Sequence, residues 1–268
     1  MIKPSTSVMS ALTILIAGMA AFSSVRQGNG GRPFSASGRD SFSVGFESPD
    51  DYAGSYITRS GQLGTTFHEL SGDKVRSGAR AHKAWIRGSN GFWRFDQDGP
   101  NHRGYPTFQF HRSGGGFRGP TLITLWVWLD VALKRGEWFS FATLSADASD
   151  RWKRVVCVNL DDHGFVHLMH VPRHGEGQRT FQTTSTRFPL RQWVKLSMFI
   201  DFDSRAGRAI VCQDGALVSA AHVEGGRGVL EQAHFGMYAA PGVDSGVVYN
   251  DDLEIRSAPD ISEPLPGS

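Results

Sequence analysis

Apolar positions recur along this chain in short runs, alternating or continuous, each closed by Gly, Asp, Asn or Pro. That period predicts strands rather than helices. In the first part of the chain the predicted strands are Phe42–Phe46, Ser55–Thr58, Ala81–Arg87, Thr107–His111, Thr121–Leu133, Trp138–Leu144 and Arg154–Leu160. In the second they are Phe165–Val171, Gln178–Thr183, Trp193–Asp203, Arg208–Gln213, Ala216–Val223, Ala233–Tyr238 and Val247–Arg256. A short helix is expected only from Gly228 to Ala233. Many strands at close spacing with turn residues between them predict an all-β fold, an antiparallel β-sandwich. Gln213-Asp214-Gly215-Ala216 sets Asp-Gly between two such runs, a strong hairpin signal. No repeat of fixed period is present, which disfavours a propeller or solenoid.

Two runs separate sharply into faces. In Leu122 to Asp130, Ile123, Leu125, Val127 and Leu129 form an aliphatic row for the core, while Thr124, Trp126, Trp128 and Asp130 form the opposite row. The indoles of that row either stack on a sugar or cover a second apolar layer. In Asn101 to Arg112, Arg103, Tyr105, Thr107, Gln109 and His111 share one face and Phe108 and Phe110 the other. The polar side either binds a ligand or faces water. Pro106 has no N–H and restricts the regular strand to its second half.

The ends of the chain read differently. Lys3, the apolar run Met9 to Phe22 and the small residues Ser23 and Ser24 predict a signal peptide over residues 1–24, too short to span a bilayer. A polar leader follows over 25–40, then one domain over 41–257, then a Pro-rich tail over 258–268. A secreted or periplasmic location follows, with no stable membrane insertion after cleavage. The formal net charge is only +2, which argues against nucleic acid as a partner, although single arginines can still grip a carboxylate in bidentate fashion. Cys157 and Cys212 lie in two predicted strands; they form either a disulfide or two buried thiols.

Gly45-Phe46-Glu47, the hairpin at Gln213-Asp214-Gly215 and the closing Tyr249-Asn250-Asp251-Asp252-Leu253-Glu254-Ile255 resemble the concanavalin A-like jelly roll. Within that superfamily, Gln109-Phe110-His111 and His234-Phe235-Gly236-Met237-Tyr238 are similar to segments of jelly-roll alginate lyases and other uronate-cleaving enzymes. The late strand lacks the lysine usual there, and Arg103 sits closer to the Gln-x-His than the family's arginine does. The resemblance implies a secreted polysaccharide lyase, or alternatively a non-catalytic carbohydrate-binding, lectin-like module. It also implies a structural calcium ion, held by Glu47 with Asp251 or Asp252.

Uronate elimination needs a neutraliser for the carboxylate, a base, and an acid for the leaving oxygen. Gln109 and Arg103 suit the first role, His111 the base, and Tyr105 or Tyr238 the acid. His102, His170, Trp126 and Trp128 are the candidate substrate-binding residues, with His167 expected to face the core. The expected partner is an acidic polysaccharide or oligosaccharide, and no cofactor is expected for catalysis. Other templates fit poorly. Glu-x-Asp-x-x-Glu, Gly-x-Ser-x-Gly and phosphate-loop strings are absent, and the histidine spacing does not make a zinc site.

Overall fold

The structure, a computed structural model, describes residues 40–258 apart from 54, 62, 92–100, 113–114, 149–151, 173–176 and 182–183. The expected signal peptide, nearly all of the leader and all but the first residue of the tail lie outside the described residues. The strands, numbered in chain order, form two large antiparallel sheets and one small pair. Sheet A runs β15 (Ala216–His222), β14 (Arg208–Gln213), β13 (Trp193–Asp201), β8 (Thr121–Val131), β18 (Ser245–Ser257), β4 (Ala81–Arg87), β3 (Thr66–Ser71), with β1 (Ser41–Val44) also on β18. Sheet B runs β12 (Arg179–Phe181), β11 (Val166–Val171), β10 (Val155–Leu160), β9 (Phe139–Ser145), β17 (Gln232–Ala239), β6 (Pro106–Phe108), β2 (Ser55–Ile57), with β5 (His102–Gly104) also on β17. The small pair is β7 (Phe117–Arg118) with β16 (Val229–Leu230).

The strand pattern predicted from sequence is largely the one observed, and Ala81–Arg87 and Arg208–Gln213 match residue for residue. Three differences have physical causes. The stretch expected as a helix, Gly228 to Ala233, contains β16 and leads into β17, because Val229 and Leu230 pair with Arg118 and Phe117. Thr107–His111 does not continue as a strand: β6 stops at Phe108, and Phe110–Arg112 winds into a short 3-10 turn. β3 and β5 have too few apolar alternations to be seen locally, and pairing with β4 and β17 makes them strands.

The core lies between the sheets. Ile123, Leu125, Val127 and Leu129 are all fully buried, and they meet Phe139, Phe141, Leu144, Val158 and Phe235 of sheet B. Each such side chain contributes about 1.5–3 kcal/mol by leaving water. At the predicted hairpin, Asp214 (φ 47) and Gly215 (φ 85) both adopt the left-handed conformation that a two-residue I′ turn demands. Cys157 and Cys212 are free and buried, in β10 of sheet B and β14 of sheet A, each within a separate small cluster outside the main core. That placement decides for two thiols over a disulfide.

Each sheet has one long strand flanked on the same side by two short ones. β18 pairs first with β4 and later with β1. β17 pairs first with β6 and later with β5. Both long strands are irregular near the changeover, β18 between Asp251 and Glu254 and β17 between Phe235 and Tyr238. The second of these breaks builds the candidate site.

Candidate functional site on the outward face of sheet B

Cross-strand register sets one row of outward side chains: Arg103 opposite Tyr238, Tyr238 opposite Ser140, Ser140 opposite Asn159, and Asn159 opposite His167. A second row runs Thr107, His234, Thr143, Cys157 and Met169. Four inter-strand steps of about 4.8 Å make the first row roughly 19 Å long, on the scale of an oligosaccharide. Val155, Cys157 and Val171, with Trp152 and Met169 against them, form a small apolar cluster of their own beside it.

The aromatic residues converge at the break in β17. Pro106 cannot donate a ladder hydrogen bond, so the flanking strand divides at Tyr105 into β5 and β6. Thr58 secures the divided backbone: its hydroxyl accepts from the Tyr105 N–H at 3.0 Å, and its N–H donates to the Tyr105 carbonyl at 3.3 Å. The Tyr105 ring then stacks on His234 at 3.9 Å between centroids, and both rings meet Tyr238 edge-on, at 5.9 and 5.4 Å. Trp152 packs edge-on to His234 at 5.2 Å, and Trp138 to Tyr238 at 5.0 Å. Asn101 donates from Nδ2 to the Tyr238 hydroxyl at 3.0 Å.

Gly236 makes this convergence geometrically feasible. Its φ of 134° lies where only glycine is comfortable, and a Cβ there would sit 2.8 Å from the Gly104 carbonyl oxygen and 3.0 Å from the Tyr105 Cβ. Gly236→Ala is therefore expected to lower stability by about 1–3 kcal/mol, read as a reduced urea midpoint. An unchanged midpoint would show that the break is not tightly packed.

Electrostatics assigns the resting protonation states. Burial, with a smaller contribution from the Arg103 charge, lowers the His234 pKa to about 3, so the imidazole is neutral at physiological pH. Burial raises the Tyr238 pKa while the Arg103 guanidinium opposes it, so the phenol keeps its proton. Arg103 Nε is buried without a partner, and so is Asn159 Oδ1 farther along the same row. The site thus presents a cation, a neutral imidazole, a protonated phenol and an amide.

The residues expected from sequence fall into several groups. Arg103, Tyr105 and Tyr238 meet as described. Gln109 lies just past the end of β6, half-buried between the core residues Phe108 and Phe110, and joins no strand pairing beside His234. His111 does not join them. Its N–H donates to the Glu231 carbonyl at 2.9 Å, with Nδ1 3.3 Å from the same oxygen. Glu231 precedes Tyr238 by seven residues, or roughly 20 Å along an extended strand, so His111 cannot share a sugar with Tyr238.

His102 points inward, fully buried, its Nδ1 bonded to the Thr66 hydroxyl at 2.8 Å. The two β11 histidines exchange the expected sides. His167 lies opposite Asn159 in the outward row, whereas His170 is opposite the core residue Val156. His170 Nδ1 lies 3.0 Å from the Val155 carbonyl oxygen, and its Nε2 accepts the Glu224 N–H at 2.9 Å. Trp126 and Trp128 are outward on β8, in the other sheet altogether. Sequence reasoning passed over His234, Asn101, Trp138 and Trp152 as site residues. The His234-to-Tyr238 spacing was the available signal, since period two sets both on one face.

The proposed calcium ligands surround one loop. Glu47 accepts the N–H groups of Ala79 and Arg80 at 2.9 and 3.1 Å, and Asp251 accepts those of Arg76 and Ser77 at 2.8 and 3.3 Å. Ser77 also donates from its hydroxyl to Asp252 at 2.6 Å. A cation needs oxygen lone pairs, and here amide hydrogens point at the carboxylates, so this donor set does not fit calcium. Among the described residues, three ligand-type groups come within 4.8 Å of one another at Asp161, Asp162 and His163. Asp161 Oδ1 there serves the turn's own N–H groups of His163 and Phe165.

The sequence matches no protein-family model and no curated protein. By fold it is similar to several solved structures. One is endo-β-1,4-glucuronan lyase from the fungus Trichoderma reesei, with a TM-score of 0.55 and 12% identity over 76% of this chain and 90% of that one. Another is the cellulose-induced protein Cip1, with a TM-score of 0.58 and 15% identity over 81% of this chain and 97% of that one. A third is alginate lyase vAL-1 from Chlorella virus, with a TM-score of 0.52 and 10% identity over 73% of this chain and 91% of that one. The fold is a jelly-roll β-sandwich of the kind found in polysaccharide lyases. Among the described residues no helix is long and apolar enough to cross a membrane.

Proposed function

We propose that this chain is an exported lyase that cleaves a uronate-containing polysaccharide by β-elimination in the groove of sheet B. The observation that carries the reading is the meeting of Arg103, His234 and Tyr238 at the break in β17, a combination that supplies every group the reaction needs. Fold neighbours named for glucuronan and alginate cleavage support the substrate class.

Arg103 and Asn101 receive the uronate carboxylate and the charge that spreads onto it as the neighbouring proton departs. Neutral His234 accepts that proton. The electron pair of the broken C–H bond becomes the new C=C bond, the glycosidic C–O bond breaks, and Tyr238 gives its proton to the leaving oxygen. The low resting pKa of His234 rises as the bound carboxylate offsets the Arg103 charge. Tyr105, stacked on the imidazole, holds its plane. Trp138 and Trp152 flank the reacting sugar.

Incubation with alginate, glucuronan and glycosaminoglycans should give an unsaturated product, followed by its ultraviolet absorbance, on at least one polymer. Binding without turnover is the second reading, favoured by the 5% exposure of His234. Retained affinity with no absorbance across all of these polymers would decide for that reading and against the lyase.

A further inference from the structure

The outward face of sheet A carries a second, larger aromatic surface that the sheet B groove does not use. Register across β3, β4, β18, β8 and β13 aligns Phe67 with Trp85, Tyr249 with Trp128, and Trp128 with Trp193. Trp85, Trp126, Trp128 and Trp193 all remain partly exposed. Phe67 and Trp85 stack at 5.5 Å with 15° between their planes. Five adjacent strands make this surface roughly 19 Å wide, more than one sugar can cover.

Cations lie over these rings. Lys74 Nζ is 4.4 Å from the Trp128 ring centre, and the Arg76 guanidinium carbon is 4.2 Å from that of Trp126. Arg87 sits 5.5 Å over Phe67 and 5.9 Å over Trp85. Among the described residues Lys83 is matched by Asp73 and Glu69, and Arg191 by Asp130, whereas Lys74, Arg76 and Arg87 have no carboxylate partner. The loop bearing Lys74 and Arg76 is held by Glu47 and Asp251 through its amides, so these cations are kept at the rings.

We infer that this face is a non-catalytic binding surface for an acidic polysaccharide, on the opposite side of the sandwich from the sheet B groove. Indole and phenyl faces suit the apolar faces of sugar rings, unpaired cations suit uronate carboxylates, and the interleaved Glu69, Asp73 and Asp130 accept sugar hydroxyls. A protein partner is a poorer fit because interface cores are depleted in lysine, which here lies on the rings. Single-stranded nucleic acid also uses aromatic and basic groups together, but its phosphate on every nucleotide would meet the three carboxylates. The inference concerns binding and does not require the chain to cleave anything.

Affinity electrophoresis in gels containing alginate or polyglucuronate tests it, with the full chain carrying Tyr238→Phe so that no cleavage complicates retardation. Adding Lys74→Glu and Arg87→Glu removes two of these cations, one half-buried and one exposed, and is expected to weaken retention about tenfold, on the scale of two cation–π contacts and their charges. Near-ultraviolet circular dichroism of the two proteins should superimpose. Retention by a neutral glucan should stay weak in both. Unchanged retention in the acidic gels would overturn the inference. So would tighter binding to single-stranded DNA than to either polymer, or a parent dimer that the charge reversals dissociate without affecting retention.

Discussion

Tyr238→Phe is expected to lower turnover of a uronate polymer by about 10²–10⁴-fold, the usual contribution of a positioned general acid. The substitution removes one oxygen and leaves the ring in contact with Trp138, Tyr105 and His234. The hydroxyl loses a hydrogen bond from Asn101, which costs about 1 kcal/mol, so the protein should stay folded. His234→Gln is expected to produce a loss of similar size by removing the base while keeping a polar side chain. His111→Ala, far along β17, should change turnover less than threefold. Initial rates of absorbance increase, with unfolding midpoints for each variant, supply the comparison. Near-normal rates in the phenylalanine variant would remove Tyr238 from the mechanism, and a large loss in the His111 variant would overturn the register described above.

Acidification from pH 7.5 to pH 4 is expected to remove about 4 kcal/mol of stability, a large share of what a domain this size possesses. Burial lowers both His82 and His234 to a pKa of about 3, well below the 6.5 of an exposed imidazole. Between those values the unfolded chain binds protons that the folded chain refuses, so stability rises with pH across this window and is complete above it. Each histidine then contributes about 3 kcal/mol of loss at pH 4. Asp251 acts in the opposite sense. Burial raises it to about 6, so its protonation on acidification returns about 2–3 kcal/mol. His68, His102, His167 and His170 are all lowered by burial and add to the loss.

His82 is the informative one to change. It is fully buried, both ring nitrogens lack partners, and it is packed among Phe46, Tyr52 and His68. His82→Leu keeps the volume and removes the titration, so its unfolding free energy from urea titrations should vary less between pH 4 and pH 7.5, by about 3 kcal/mol. A leucine variant with the parent's full pH dependence would show that His82 protonates without cost.

Much of the fold was legible because strands announce themselves locally. Ile123, Leu125, Val127 and Leu129 alternate with polar or aromatic positions, and burial on one side follows from that alternation alone. Asp214-Gly215 marks its hairpin because both residues tolerate positive φ. The site was only partly legible. Alternation along the chain places Arg103 and Tyr238 among the outward polar residues, and the register sets them opposite each other, whereas His111 would share that face only if the strand ran regularly through Gln109. A 3-10 turn at Phe110–Arg112 ends that regularity. The histidine that does meet Tyr238 lies on the same strand as the tyrosine, and its other ring partners, Tyr105 and Trp152, lie between strands.

The amino-acid sequence by itself determined that this chain forms an antiparallel sandwich, which rows face its core, and which residue types are available for uronate chemistry. Period two and turn residues act over a few positions, and neighbours along the chain are enough to express them. Only the tertiary structure decided which rows share a face. It set His234 rather than His111 beside Tyr238, turned His170 inward and His167 outward, and moved Trp126 and Trp128 to the opposite sheet. Those outcomes depend on register between strands distant in sequence, where a shift of one residue exchanges the two faces of a strand. That register is set by Gly236, by the division at Pro106 and by the packing of both sheets on one core.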